Sequence, residues 1–322
     1  MVNIYKGYNT GIMYKSESTY GTAVTVDTAV EGKVTAFGAN WANNFFREQG
    51  LGEGRNATFT GFGPFDAGGT IEWIPTEIDF LQYVVGAKSG DGSSGTPFIL
   101  TEADTLTSFT MQAFNDATAD MVDTYEGCVL NNCTLTIAEG DLLRASADWV
   151  AETVRTNTAG AAFSANTAAP WNFAQGILKW GASPTTEAYI TNANITISNN
   201  LFVYRALGSR FIKEPATGMR RYDFNITVKA NSDLLGTMQQ DLMGQANTPI
   251  AGTASASPTA SLELLFYFSG PTNQVLNIQL DEAAIETISK PVDLGGGVIE
   301  LSLTGIAQEG KSNVPISWQT GA

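Results

Sequence analysis

The sequence predicts a mainly β protein made of two tandem antiparallel β-sandwich domains, each with a short flanking α-helix. Three observations carry this. Only 15% of the 322 residues are charged, and Gly, Thr, Ser, Asn and Ala fill turn-rich stretches between short runs of β-branched residues. Apolar and polar residues alternate along several of those runs, the signature of antiparallel sheets buried on one face. The stretch "NNFFREQGLGEGR" at 43–55 has a near-echo in "NNLFVYRALGSR" at 199–210, 156 positions later counted from the first Asn (199 minus 43).

A fixed-period echo is a strong architectural signal, and a chain of this length suits two domains. The expected layout is an amino-terminal arm over 1–30, a first domain over 31–157, a linker over 158–187 and a second domain over 188–322. In the first domain "TIEWIPTEIDFLQYVVG" (70–86) reads as a strand, a proline break and a helix with Ile78, Leu81 and Val85 on one stripe. Its partner "DFNITVKANSDLLGTMQQDLMG" (223–244) alternates Phe224, Ile226 and Val228, then offers Ser232 as N-cap of a helix carrying Leu234, Leu235, Met238 and Leu242. A Gly, Ser, Thr, Ala and Pro-rich loop follows each, at 87–98 and 246–261, and then an apolar strand ending at Phe114 or Phe268.

The last long strands are "LLRASADWVAETV" (142–154) and "GGVIELSLTGIA" (296–307). Leu143, Ala145, Ala147 and Trp149 share one face of the first; Ile299, Leu301, Leu303 and Gly305 share one face of the second. At the start of the second domain, "ITNANITISN" (190–199) turns Ala193, Ile195 and Ile197 inward and Asn192, Asn194, Thr196 and Ser198 outward. Trp171, Phe173 and Trp180 mark the linker as packed against the domains, since a free linker buries no rings. One large sandwich with recurrent strand chemistry is the competing architecture.

Composition closes several classes of chemistry. With no histidine, neither a Ser-His-Asp nor a Cys-His nucleophile nor a histidine-liganded metal is available, and two cysteines are too few for a structural zinc. Cys128 and Cys133 in "CVLNNC" are expected as free buried thiols, with Asn131-Asn132 as a two-residue turn that sets them out of disulfide register. "GLGEGR" (50–55) lacks the Lys-Ser/Thr ending of a nucleotide loop and reads as a flexible turn. Carboxylates for glycoside hydrolysis are not concentrated in one constellation, and no cofactor is expected. A net charge of −15 with 17 Lys and Arg spread along the chain argues against sequence-reading DNA binding. The start "MVNIYKGYNTG" has no signal-peptide core and no stretch is long and apolar enough for a membrane anchor, so synthesis and assembly are expected in a cytoplasm.

The polar strand faces say more. Opposite the apolar side of the last strands lie Arg144, Ser146, Asp148 and Glu152, and Glu300, Ser302 and Thr304. Two readings stay open: an ordinary solvated face, and an acidic wall of low adhesion along which a polyanion moves.

"SESTYGTAVT" (16–25), "EGCVLNNCTLTIAEGDLLRASADWVAE" (126–152) and "ITNANITISNNLFVYRALGSR" with "GMRRYDFNITV" together resemble the tail-tube (major tail) proteins of tailed bacteriophages and archaeal viruses, over most of the chain. The resemblance implies tube domains of two packed antiparallel sheets and a helix. It further implies rings stacked into a hollow tail tube that delivers viral DNA, a virion location, and no enzymatic activity. Combined with the repeat, it implies a homo-oligomer of three chains per ring with pseudo-sixfold symmetry. Tail terminator, tail-tip and tape-measure proteins are the implied partners, with DNA passing unbound through the lumen. Ser146, Asp148, Glu152, Glu300, Ser302 and Thr304 are then candidate lumen-facing residues. The loops 87–105 and 245–260 and the arm are candidate ring-to-ring contacts. Another ring-forming virion protein, a terminator or capsid decoration, and a carbohydrate-binding β-sandwich are the alternative functions.

Overall fold

In the computed structural model the described residues are 11–52, 54–56, 59–93, 95–114, 122–158, 160, 163, 168–181, 186–188, 190–229, 263–269, 274–289, 300–310 and 315–319. The helix expected over 232–242, the loop 246–261 and Ile299 lie outside them.

The first half contributes β1 (Gly11–Ser16), β2 (Thr28–Ala29), β3 (Lys33–Glu48), β4 (Phe59–Ile74), the one-turn α1 (Gln82–Val85), β5 (Gly86–Ser89), β6 (Phe98–Glu102), β7 (Phe109–Phe114), β8 (Val122–Ala138), β9 (Arg144–Ala151) and β10 (Thr153–Thr158). The second half contributes β11 (Gly176–Gly181), β12 (Thr186–Ala188), β13 (Ile190–Ser198), β14 (Arg221–Lys229), β15 (Glu263–Ser269), β16 (Val275–Asp281), β17 (Ala284–Ser289), β18 (Glu300–Ala307), β19 (Glu309–Gly310) and β20 (Ile316–Gln319).

Eight of these strands lie side by side in the order β3-β4-β9-β8-β13-β14-β18-β17, every contact antiparallel. The first four and the last four succeed one another in the same way: hairpin, late strand, then the strand before it. The shared seam is β8 against β13, in register Leu135 with Ile195 and Cys133 with Ile197.

Backbone irregularities recur at the same interval. The β3·β4 ladder bulges between Val34 and Ala36, and the β13·β14 ladder between Ile190 and Asn192. Inside each bulge a threonine, Thr35 or Thr191, donates its hydroxyl to the carbonyl across the ladder, Glu72 at 3.2 Å or Thr227 at 3.3 Å. β8 slips against β9 between Leu130 and Asn132; β17 slips against β18 between Ile285 and Thr287. Such bulges bend a strand at a set place, so the two halves bend at matching positions along the chain.

Outer strands cover the apolar side of this sheet. In the first half they run β2-β1-β7-β8-β10, β8 passing from the outer to the inner sheet at Gly127, whose φ of +65° lies in the left-handed region. In the second half the corresponding strand is split into β16 and β17 at Glu282, φ +49°. There the outer order is β12-β11-β15-β16-β20-β6-β5.

The predicted alternation is present: Leu143, Ala145, Ala147, Trp149, Ala193, Ile195, Ile197, Leu301 and Leu303 are all buried in one continuous core, with Phe37 stacked on Trp149 at 5.8 Å. Trp171 and Trp180 are buried too, but Phe173 is exposed on a short 3-10 turn capped by Asn172, and so is not packed.

Other expectations need correction. Asn131-Asn132 is not a turn but the bulge in the continuous β8; Asn131 is held there because its carbonyl accepts from Asn199 N–H at 2.9 Å and its side chain from Leu201 N–H at 3.0 Å. Cys128 and Cys133 are free and buried, as predicted. The flanking helix shrinks to α1, because Ile78 and Leu81 are buried within the preceding turns and Gly86 at φ +146° turns the chain straight into β5. Within the expected arm, β1 pairs with β7, and Glu17 accepts from the Ser108 and Thr110 hydroxyls, both at 2.8 Å, and from Gly127 N–H at 2.9 Å. Within the expected linker, β11 pairs with β15.

Glu31, the first residue of the expected first domain, is buried where it accepts from Phe80 N–H at 2.9 Å and from the Tyr14 hydroxyl. Burial pushes its pKa up to about 8, the Asp79 charge adding to the rise while the Tyr14 hydrogen bond opposes it. A folded pKa above the unfolded value of 4.5 means the folded state holds an extra proton. That stabilisation is complete below pH 4.5 and is lost as pH rises toward about 8, with a limiting slope of about 1.4 kcal/mol per pH unit. Glu31→Gln, which mimics the protonated acid, is expected to flatten this dependence when urea midpoints are compared between pH 5 and pH 8.5.

Candidate functional site

The polar side of the eight-strand sheet forms one continuous surface, because the ladder registers place polar residues opposite one another strand after strand. Thr70 and Glu72 of β4 face Asp148 and Ser146 of β9; these face Asn132 and Thr134 of β8. The row crosses the seam to Ser198 and Thr196 and reaches Arg221 and Asp223. Further along β14, Asn225 and Thr227 face Thr304 and Ser302, which lie beside Thr287 and Ser289, while Asp223 faces the apolar Ile306. Hydroxyls bridge the ladder at the seam, Thr134 to Thr196 at 2.9 Å, and again between Thr287 and Thr304.

Of the six residues singled out in the sequence, Ser146, Asp148, Glu300, Ser302 and Thr304 lie on this surface. Glu152 does not continue the row. It sits past the end of β9, where its N–H bonds to Glu126 O at 2.9 Å and its side chain packs near Gly21 and Gly127. Burial and the Glu17 charge push its pKa up, against the pull of Lys213.

Three cations on the face are held by acids. Arg144 pairs with Asp141 at 2.9 Å, Arg221 with Asp223 at 2.7 Å and Lys229 with Glu139 at 3.1 Å. Arg144 holds the Asp141 carboxyl below its usual range. Among the described residues Asp148 accepts from Asn132, at 3.4 Å, and Glu72 and Glu300 lie on the same surface. The result, among the described residues, is hydroxyl and amide groups with a surplus of negative charge and no cluster of Lys or Arg. Among the described residues no group of carboxylates and thiols could hold a metal ion.

One feature is not evident from the sequence patterns. The exposed large apolar side chains concentrate in the two echo segments: Trp41, Phe45, Phe46, Leu51, Phe59 and Phe62 around the β3·β4 hairpin, and Phe202, Val203, Tyr204, Leu207 and Met219 around the β13·β14 connection. Gly52 and Gly208, each following a leucine, share φ +85°. Since β3 and β13 run in the same direction, both tips leave the same end of the sheet. They also touch: Phe65 N–H donates to Arg210 O at 2.9 Å, Arg205 pairs with Asp66, and the Arg210 guanidinium lies 4.8 Å from the Phe62 ring. The signal that could have found them is the echo itself, whose aromatics have no polar alternation to place them in a core.

A β surface of this breadth fits a scaffold, and the sequence profile of the family described as phage tail tube protein matches residues 7–307. The chain belongs to the phage tail tube protein family. No curated protein matches it. Family membership makes it a structural component of a viral tail, and among the described residues no helix is long and apolar enough to cross a membrane.

Proposed function

We propose that the chain comprises two tandem repeats of one tube domain, that three chains close into a ring with pseudo-sixfold symmetry, and that such rings stack into the hollow tube through which viral DNA is delivered. In this reading the repeats keep the boundaries proposed from the sequence, and 1–30 and 158–187 each add an outer strand, β1 or β11, to the repeat that follows.

The observation that carries the proposal is the strand order. Within one chain the repeats join by β8 against β13, while β3 and β17 each have a partner on one side only among the described residues. These two free edges are the counterparts of β13 and β8. Joining β17 of one chain to β3 of the next repeats the internal seam, a heterologous contact that closes if the rotation per repeat is one sixth of a turn. Three chains give roughly 24 strands, which at a spacing of about 4.8 Å and a tilt of about 40° makes a barrel about 45–50 Å across between backbones. That leaves room for a DNA duplex inside the side chains.

The polar face then lines the lumen. Its two arginines Arg144 and Arg221 and the lysine Lys229 are paired with carboxylates, which leaves phosphates few cations to release counterions against, and a ring of three chains carries three times −15 overall. DNA slides without adhering. The apolar tips lie at one end of the ring, where the next ring covers them; this assigns stacking to the echo segments, while β5 and β6 of the loop 87–105 are paired to β20 within the chain. Tail terminator, tail-tip and tape-measure proteins remain the proposed partners at the ends and in the bore, with assembly in the host cytoplasm.

Negative-stain electron microscopy of the purified protein over a concentration series tests this. Hollow filaments whose end-on views show sixfold symmetry modulated threefold are expected. Monomers at every concentration, with or without a tail-tip initiator complex, would refute it.

A further inference from the structure

We propose that Glu286 sets the register of the contact between chains: its main-chain carbonyl and its carboxylate accept the N–H groups of Asn43 and Phe45 of the neighbouring copy. This rests on the ring reading above and names the residues by which one chain recognises the next.

The template is internal. At the β8·β13 seam the last regular pair is Asn132 with Ser198. One residue further, the bulged Asn131 closes the seam against the chain as it enters the second tip. Its carbonyl accepts from Asn199 N–H at 2.9 Å and its side-chain oxygen from Leu201 N–H at 3.0 Å.

Glu286 stands where Asn131 stands. It is the extra residue of β17 against β18, between Ile285 opposite Gly305 and Thr287 opposite Thr304. Asn131 is likewise the extra residue of β8 against β9, between Leu130 opposite Trp149 and Asn132 opposite Asp148. The two bulge residues are 155 positions apart (286 minus 131), and Thr304 and Asp148 are 156 apart (304 minus 148). Asn131 is half-buried at its seam; Glu286 and the adjoining Thr287 are exposed. A carboxylate in place of the carboxamide keeps the acceptor oxygen and strengthens a bond from a backbone N–H by its charge.

The matching donors lie on β3. Asn43 and Phe45 are the counterparts of Asn199 and Leu201, 156 positions earlier (199 minus 43, 201 minus 45). The Asn44 carbonyl faces β4, where a Cβ added to Gly63 would meet its oxygen at 2.7 Å. Backbone groups of successive strand residues point to opposite edges, so the N–H groups of Asn43 and Phe45 face away from β4. Every residue of β3 from Asn40 to Glu48 is exposed.

This stretch is already fixed from the β4 side. The Asn44 amide donates to Pro64 O at 3.1 Å and to Asp66 at 2.8 Å, as the Asn200 amide donates to Met219 O at 2.8 Å. The Asn43 side-chain oxygen accepts from the Arg210 guanidinium. The two donors are therefore presented at little ordering cost. Both strands also depart from regularity at this level, β17 at Glu286 and β3·β4 between Asn43 and Phe45. They fit where the bends coincide, which sets Ala42 opposite Thr287 and Trp41 opposite Ile288; a slip of one residue would turn Trp41 to the polar face.

The test is residue-resolved amide exchange on rings of wild-type protein, Glu286→Gln and Glu286→Ala. On wild-type ring formation the Phe45 amide is expected to slow at least tenfold. It should stay slow in the glutamine variant, whose amide accepts as Asn131 does, and regain its monomer rate in the alanine variant. The Asn43 amide, bonded to a main-chain carbonyl, should stay slow in all three. Loss of rings in Glu286→Ala with rescue by Glu286→Gln supports the proposal equally. Phe45 exchange that does not slow in wild-type rings, or stays slow in Glu286→Ala rings, overturns the inference and leaves the ring reading in place. Loss of rings in both variants also overturns it, because an acceptor oxygen is then not what the site supplies. Absence of rings in the wild-type protein overturns both readings. Register is read separately: Ala42→Cys with Thr287→Cys is expected to give disulfide-linked dimers and trimers, the native Cys128 and Cys133 being buried. Cross-linking of Ala42→Cys to Ser289→Cys in its place overturns the register.

Discussion

Trp41→Asp yields a folded monomer that forms no rings. The expectation comes from transferring the internal seam to the free edges. Ile197 and Cys133, paired across β13 and β8, are 1% and 0% exposed. Their counterparts, 156 and 155 positions away, are Trp41 on β3 and Ile288 on β17. Trp41 is 41% exposed and Ile288 is only partly buried, so both carry apolar surface that the internal seam would cover. Burying the remaining surface of Trp41, on the order of 100 Å², contributes about 2.5 kcal/mol per seam, and a carboxylate there adds a desolvation cost of at least a few kcal/mol. Each 1.4 kcal/mol is tenfold, so association at each of three seams falls by at least about 100-fold. Sedimentation velocity reads the loss of rings. Trp41→Phe, which keeps an apolar ring, should retain them, and near-ultraviolet circular dichroism should show the aspartate variant still packed. Rings of normal stability from Trp41→Asp would mean that β3 does not lie at a contact between chains.

How much of this was legible beforehand depends on the range of the interaction concerned. Alternation is local, so Ala193, Ile195 and Ile197 announced their face, as did Ser302 and Thr304 opposite Leu301 and Leu303. The echo at 156 residues was visible because Leu-Gly must recur where the backbone needs φ near +85°. What failed depended on distant partners. Asn131-Asn132 resembles a hairpin turn in isolation, but Asn199 and Leu201, some 70 residues on, hold Asn131 in a bulge. The apolar stripe of Ile78, Leu81 and Val85 satisfies helical spacing equally well as a buried series of turns. Glu152 obeys the period of two up to Asp148, then leaves the row because the chain bends after Ala151 into β10. The crossing of β5 and β6 to β20 joins residues more than 200 positions apart, and nothing in either segment's own pattern encodes that choice.

The second large effect separates rings from tubes. Leu51→Asp combined with Leu207→Asp is expected to leave rings intact and abolish filaments. Both leucines are completely exposed at the two tips, so neither substitution costs the folded chain a buried contact. They occupy equivalent places before Gly52 and Gly208, which puts a pair on each chain and about six around a ring of three. If stacking covers each leucine, the apolar gain is about 1.5–3 kcal/mol per tip, and six tips acting together make the contact between rings cooperative. Replacing them by carboxylates removes that gain and adds repulsion to a surface that is already acidic. Micrographs should then show single rings at concentrations where wild-type protein is filamentous. Raising the salt to screen the added charge should recover filaments poorly, because the lost apolar burial is insensitive to ionic strength. The single variants should fall between, since each removes half of the tips. Filaments of wild-type length from the double variant would assign stacking to another surface, and residues 1–10 and 87–98 would be the next to delete. Loss of rings together with filaments would instead place the tips at the contact between chains, as Arg205 and Arg210 already bind Asp66 and Phe65 across the contact between the two halves of one chain.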